Sequence, residues 1–341
     1  MSHRLLPRAA LIGGLALAVL AATPVAASPP TVDRGEAAAG WLARQMVDGE
    51  RFETVFDGVA YPDQGLTLDA VFAFAATGTA DDHADRALDW LAEPGVTGGY
   101  VGEGTESYAG ATAKLSLAVQ VRGGDPSTFA GLDLEARLRA LETATGRFSD
   151  ASAWGDYSNA FSQSLAILTL DRTTTGAPST AVGFLAGSRC ADGGYPLLFG
   201  ESTCTSSVDA TAYAVQALLA VGRWPDAGAG LRWLASVQSP NGSFSDLGVE
   251  NANSTGLAAQ ALLAGGRLGA AIKARQFVKT LQIDCTGTIA TRGAINLKAG
   301  PFDPSTANRA TAQAVLGLGT TSLADLDADG SATGDPLLYC H

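Results

Sequence analysis

Residues Arg232–Phe244, "RWLASVQSPNGSF", read as the end of one helix and the turn that leaves it. Trp233 and Leu234 anchor an apolar stripe, and Pro240 forbids continuation of the helix. Asn241-Gly242 is a strong turn dipeptide, and Phe244 brings the chain back towards a core. The stretch decides the fold because it recurs. "WLARQMVDGERF" supplies Trp41 and Phe52, "WLAEPGVTGGY" Trp90 and Tyr100, and "FLAGSRCADGGY" Phe184 and Tyr195. "RLRALETATGRF" is a weaker copy with Leu138 and Phe148, and "FVKTLQIDCTGT" a sixth with Phe277 and no closing aromatic. The spacing of 44 to 49 residues, held over six copies, is the signature of a repeat architecture.

Each copy continues through a polar, glycine-rich loop into a second helix of small apolar residues. "DATAYAVQALLAVG" from Asp209 and "NSTGLAAQALLAGG" from Asn253 are nearly the same text, and "NRATAQAVLGLG", "NAFSQSLAILTL", "ATAKLSLAV" and "TLDAVFAFAATG" are looser versions. The first helix of a pair carries charges on one side, as in "ADRALDWLAE", and so faces water. The second has almost no charged face and must be buried on both sides. Six hairpins closed in a ring satisfy both demands, with polar helices outside and small-residue helices inside. An open solenoid would need polar end caps, and no such cap is evident. The expected fold is therefore all-α, a closed α/α toroid of six helical hairpins. Its outer-helix aromatics Trp41, Trp90, Phe184, Trp233 and Phe277 should point inward and be buried.

The repeat resembles the QW motif of squalene and terpenoid cyclases, through Trp233, Leu234, Gln238, Gly242 and Phe244, with Phe in place of the final Trp. The chain as a whole resembles the prenyltransferase and squalene-cyclase repeat superfamily, which implies the same six-hairpin toroid with a central apolar cavity. Transcobalamin-type carriers and complement thioester domains share that toroid without terpene chemistry, so the resemblance specifies fold strongly and function weakly.

At the N-terminus, Arg4 and Arg8 precede an apolar run and the small residues Val25-Ala26-Ala27, the pattern of a Sec leader over 1–27 cleaved after Ala27. The expected organisation is this leader, a toroid over 28–320, and an acidic tail over 321–341 tied back by Cys340. A secreted protein is expected, with no membrane-spanning segment. The formal net charge of −12 and the lack of a basic patch argue against a nucleic-acid partner. Four cysteines in an exported chain suggest disulfides, and Cys190–Cys204 with Cys285–Cys340 is the most local pairing.

The chemistry known for the superfamily is poorly supported by these residues. With cysteines oxidised and His83 and His341 the histidines beyond the leader, a catalytic zinc or a serine triad lacks its ligands or base. No cofactor is expected. Class II cyclases protonate an alkene with the middle Asp of an Asp-x-Asp-Asp-Thr-Ala stretch; here "SVDATA" keeps Asp209, Thr211 and Ala212, while Ser207 and Ala210 replace the flanking carboxylates. Asp209 is the candidate catalytic acid, and an N-cap of the fourth inner helix is its simpler reading. Asp69, Tyr108, Tyr157, Asn159, Tyr213, Asn253, Thr255 and Asn308, near the starts of inner helices, are read both as helix caps and as a ring of groups around a ligand mouth. "DLDADGSATGD" places Asp325, Asp327 and Asp329 as in half a calcium loop, but Pro336 stands where the bidentate Glu belongs, so a solvated acidic turn is expected and calcium is the one ion considered. The leading expectation is a non-catalytic toroid that binds an apolar or amphipathic small molecule or a protein partner. A terpenoid cyclase or prenyltransferase-like enzyme acting through Asp209, and a structural surface protein, are the alternatives.

Overall fold

The computed structural model describes residues 29–340, so the leader expected over 1–27 lies outside the described residues. Helices alternate between two concentric rings. The inner ring comprises α2 (Gln64–Thr77), α5 (Ala109–Val121), α7 (Ala160–Asp171), α9 (Val208–Ala220), α11 (Ala252–Ala264) and α13 (Pro304–Ala314). Each packs on the next, and α13 packs on α2, so the ring is closed. The outer ring comprises α1 (Arg34–Gln45), α3 (Asp81–Leu91), α6 (Leu134–Arg139), α8 (Ser179–Gly187), α10 (Trp224–Val237) and α12 (Leu268–Leu281). The third outer helix is reduced to 6 residues, and an additional helix, α4 (Pro94–Val101), replaces the turn expected after Trp90. The fold is an all-α toroid. Among the described residues, strand pairing is limited to two-stranded pairs.

The recurring motif works through backbone satisfaction. At the end of α10, Gln238 Nε2 donates to the carbonyls of Gly242 (3.0 Å) and of Ala270 in the next outer helix (2.9 Å). Gly242 has φ +93°, and a Cβ there would sit 2.3 Å from the Lys273 carbonyl oxygen of α12. Only glycine fits. The same clamp closes the ring: Gln282 Nε2 donates to Gly293 (3.0 Å) and to Arg34 (2.8 Å), and a Cβ on Gly293 would meet the Ala37 carbonyl at 2.3 Å. In the third repeat the glutamine comes instead from inner helix α7, where Gln163 Nε2 donates to Gly146 (2.9 Å) and Ala181 (3.1 Å). The closing residue is then fixed by the inner helix. Phe52, Tyr195, Phe244 and Ile295 donate their N–H groups to the hydroxyls of Thr67, Thr211, Thr255 and Thr311 at 2.8–2.9 Å. The sixth copy therefore ends at Gly293–Ile295, after an insertion that contains Cys285. The shorter alignment predicted from "FVKTLQIDCTGT" misses this.

The outer-helix aromatics divide. Trp41 and Trp90 are buried, as expected, and the Trp41 indole N–H donates to the Ala290 carbonyl at 2.9 Å. Phe184, Trp233 and Phe277 are only half-buried, which corrects the expectation. Trp233 lies across the backbone of Gly194, whose absent Cβ would come 2.8 Å from the ring, and its N–H donates to Asp192 Oδ2 at 2.9 Å. It covers the preceding repeat's turn rather than entering the core.

The acidic tail, tied back through Cys340, runs as a strap across one end of the ring. It buries Leu323, Leu326 and Ala328. Leu323 N–H donates to Gln216 of α9 (2.9 Å), Gln260 of α11 donates to the Thr321 carbonyl (3.0 Å), and Ala328 N–H donates to Val121 of α5 (3.0 Å). Arg172, at the end of α7, donates to the carbonyls of Leu323, Ala324 and Leu326 at 3.1, 2.8 and 2.7 Å. The C-terminal ends of the inner helices thus share one closed face. Asp325, Asp327 and Asp329 are exposed on this strap. Among the described residues no group of three or more His, Cys, Asp or Glu side chains converges to hold an ion, so the half calcium loop is a strap. Cys285 pairs with Cys340, and Cys190 with Cys204.

Two measurements test this packing. Trp41→Ala should cost about 3–5 kcal/mol, and Trp233→Ala clearly less, by chemical denaturation; equal losses would contradict the half-buried placement of Trp233. Opening the Cys285–Cys340 loop, with a separation of 55 residues, should destabilise more than opening Cys190–Cys204, with 14. The chain-entropy contributions are about 4 and about 3 kcal/mol. Pairwise Cys→Ala variants measured by denaturation should keep that order.

Candidate functional site

The inner helices begin around the other, open face, and the long loops gather there. The starts of these helices correct several predicted roles. The caps are Asp63, Tyr108, Asn159, Ser207, Asn251 and Asp303. Asp209, Asn253 and Asn308 therefore lie inside their helices rather than capping them. The physical reason is that Ser207 and Asn251, each followed by a helical turn, reach the free N–H groups first. Asn159 is purely a cap, in a reciprocal box with Ser162. Thr255 is fully buried and bonded to Phe244 and Asn251, and so serves the repeat clamp. Tyr108 is half-buried beside Glu106, and Tyr157 is exposed on the loop before α7.

Two of the predicted acids face the interior, in opposite electrostatic states. Asp69, in the middle of α2, is 5% exposed and bonded from two neighbouring inner helices. Lys114 Nζ of α5 lies 2.5 Å from its Oδ1, while Gln313 of α13 donates to Oδ2 at 3.3 Å and Arg309 stands 3.9 Å away. Its charge is neutralised in place. Asp209, in the first turn of α9, has no cation. Burial pushes its carboxyl up, to about 6; the nearby Ser254 side chain opposes this, and the charge of Asp246 adds to the rise. Its buried Oδ1 has no partner, nor does Oδ1 of Asn253 on the neighbouring α11. Tyr213 stands between the two acids, packed on Phe161 with ring centroids 5.1 Å apart. Burial raises the phenol pKa of Tyr213 and of Tyr100, with Asp69 adding to both.

Beside Asp209 the open face carries a cleft of about 800 Å³ between the loops of the fourth and fifth repeats. Pro196, Leu198, Val208, Trp233, Val237 and Leu247 give it apolar walls, and Glu201 and Asp246 are its charged residues. No lysine, arginine or histidine lines it. The Cys190–Cys204 disulfide staples the loop that forms one wall, and a smaller cavity of about 340 Å³ lies on the far side of that loop.

Sequence reasoning missed Lys114, Arg309 and Gln313, although the signal was present: a lone Lys in "ATAKLSLAV" and a lone Arg in "NRATAQ" on helices otherwise without charge. It also assigned Trp233 to packing alone, whereas its free side lines the cleft.

No protein-family model matches the chain, and comparison with curated proteins finds no match. Solved structures do resemble it. The apo type II terpene cyclase MstE of Scytonema superposes with a TM-score of 0.63 at 13% identity, covering 84% of this chain and 96% of that one. The unsaturated glucuronyl hydrolase of Bacillus sp. GL1 gives 0.60 at 12% identity, over 84% and 95%. A protein from Actinoplanes gives 0.62 at 15% identity, over 84% and 97%. At these identities the likeness concerns the fold alone: this chain shares the α/α toroid with proteins of unrelated activities.

Proposed function

We propose that this is a secreted binding protein whose open face takes an apolar or amphipathic small molecule. The observation that carries the reading is the cleft of about 800 Å³, of a size that suits such ligands, set into a rim of exposed apolar side chains. Phe56, Tyr61, Trp154, Tyr157, Leu198 and Leu247 are all more than half exposed, and all lie on loops that lead into inner helices. Apolar surface gathered at one mouth marks an interaction site rather than ordinary surface. Solved toroids support the reading in kind: MstE has been determined with its substrate geranylgeranyl dihydroxybenzoate.

A second reading rests on Asp209, a buried acid whose pKa is raised to about 6. Protonating an alkene requires a far stronger acid, with its proton held by a partner and its anion stabilised. Among the described residues Asp209 has no cation beside it, and its burial and the nearby charge of Asp246 weaken it as an acid. Binding without turnover is the reading that follows.

Mass spectrometry of solvent extracts from the protein exported by its own cells should show a lipid, terpenoid or other amphipathic compound in stoichiometric amount. Titration of a hydrophobic dye should quench Trp233 with micromolar affinity, about −8 kcal/mol, and Trp233→Ala should weaken it. No extractable compound and no dye binding would sink the proposal in favour of a structural protein. A geranylgeranyl-bearing substrate should be recovered unchanged; conversion abolished by Asp209→Asn would establish the enzyme instead.

The pH dependence is fixed in sign. The folded carboxyl of Asp209 titrates near 6, above its ordinary value of 3.8, so the folded state holds the proton more tightly than the unfolded chain does. Stability from this group is present below pH 3.8 and is lost as pH rises through 6. Asp209→Asn should therefore melt higher than the parent protein at pH 7.5 and close to it at pH 4. A lower melting temperature for the variant at pH 7.5 would show that the carboxylate is stabilised by contacts other than these.

A further inference from the structure

The charge on the cleft is one-sided, and it constrains what can occupy the site. Glu201 and Asp246 line it, and neither forms an ion pair among the described residues. Asp192 stands at its edge, accepting from the Ser206 hydroxyl at 2.6 Å and from the Trp233 indole at 2.9 Å, and both of those donors line the cleft. Behind the wall at Val208, Asp209 lies within electrostatic reach of Asp246 and keeps a buried oxygen without a partner. Two carboxylates thus line this cleft and two more stand at its edge and behind its wall, with no basic residue among the described residues that line it. The other inward-facing acid, Asp69, has Lys114 and Arg309 beside it. The contrast is informative, because the same fold supplies cations to an interior carboxylate where none is to come from outside.

An aromatic face completes the set. Trp233 is pinned on one side by the Gly194 backbone and by its bond to Asp192, so its ring is held in place along the cleft. A fixed indole face beside unpaired carboxylates is the environment that attracts an alkylated ammonium: the ring quadrupole and the acids act on the same charge, and the apolar walls take the rest of the molecule. An anionic amphiphile in this cleft meets the charges of Glu201 and Asp246 with no lining cation to offset them.

We propose that the ligand is an amphipathic cation, an apolar body of lipid or terpenoid size carrying an amine or quaternary ammonium, seated with its charge between Trp233, Glu201 and Asp246. This rests on the binding reading above and narrows it to one charge class.

The test compares three amphiphiles with the same twelve-carbon chain, each below its micellar concentration: dodecyltrimethylammonium, dodecyl maltoside and dodecanoate. Affinities are measured by calorimetry on the full exported chain at low salt. The cation should bind about tenfold more tightly than the anion, with the neutral compound between them. Glu201→Gln combined with Asp246→Asn should bring the cation down to the affinity of the neutral amphiphile. Asp89→Asn combined with Asp329→Asn, which removes the same charge from exposed positions elsewhere, should leave the preference intact. Equal binding of all three, or the same loss in both double variants, overturns the charge assignment and leaves the binding reading standing. Failure of all three to bind overturns both.

Discussion

The side-chain amide of a glutamine, spent on two backbone carbonyls at once, is the interaction on which this toroid depends. An outer helix ends with free carbonyls, the turn after it presents another, and the next outer helix begins a few ångströms away. Gln238 bonds the Gly242 and Ala270 carbonyls and so joins one repeat to the next with a single group. Gln282 does the same between the sixth repeat and Arg34 of the first, which turns a row of hairpins into a ring. The glycine is the other half of the device. Its φ of +93° at Gly242 and +98° at Gly293 bends the turn back, and the missing Cβ lets two backbones touch. Leaving either carbonyl buried without a donor would cost about 1–3 kcal/mol. A ring contains no end repeat to absorb such a loss.

This explains what could be read from the chain and what could not. The clamp is written within about a dozen residues, as aromatic-Leu, Gln and Gly at fixed offsets, so the six-hairpin toroid was legible. The third copy was weak because its glutamine moved to the inner helix as Gln163, where the same two bonds are made from the other side. The strap was not legible at all. Its bonds join Leu323 to Gln216 and Arg172 to Leu326, across separations of 107 and 154 residues, and they use backbone groups that carry no sequence signal. The acids there looked like a calcium loop because local spacing is all that a sequence offers.

The candidate site was partly legible for the same reason. Asp69 and Asp209 stood out as acids on helices of small apolar residues, Asp209 as a candidate acid or a cap and Asp69 as a cap or a ligand group, but sequence alone could not assign either a partner. Whether a buried carboxylate has a cation is decided by neighbouring helices. Asp69 meets Lys114 and Arg309 only because α5, α2 and α13 are adjacent in the ring, and α13 and α2 are adjacent only because the ring closes. Trp233 was misread because its repeat position predicts a buried, inward-facing ring, whereas it covers the preceding repeat's turn with one side of the indole alone.

The two faces of the toroid differ in how their connections are held. On the face sealed by the strap, connections such as Gly222 and Gly265-Gly266 are tight turns, the carbonyls of Val121 and Gly78 at helix ends are met by the N–H groups of Ala328 and Ala332, and Arg172 meets carbonyls of the strap itself. Nothing there is free to vary without leaving backbone groups unbonded. On the open face the inner helices start from caps inside their own loops, as Asn159 and Asn251 do, so each helix is terminated locally and the loop beyond it is released from that duty. Loops so released can carry Trp154, Tyr157, Leu198 and Leu247 into solvent without weakening the ring. A toroid built in this way can change what it binds by changing those loops, while the glutamine clamps underneath hold the mouth in one shape. The same fold appears in a terpene cyclase, a glucuronyl hydrolase and this chain at 12–13% identity, and in this chain the residues that close the ring are not those that line the open-face cleft.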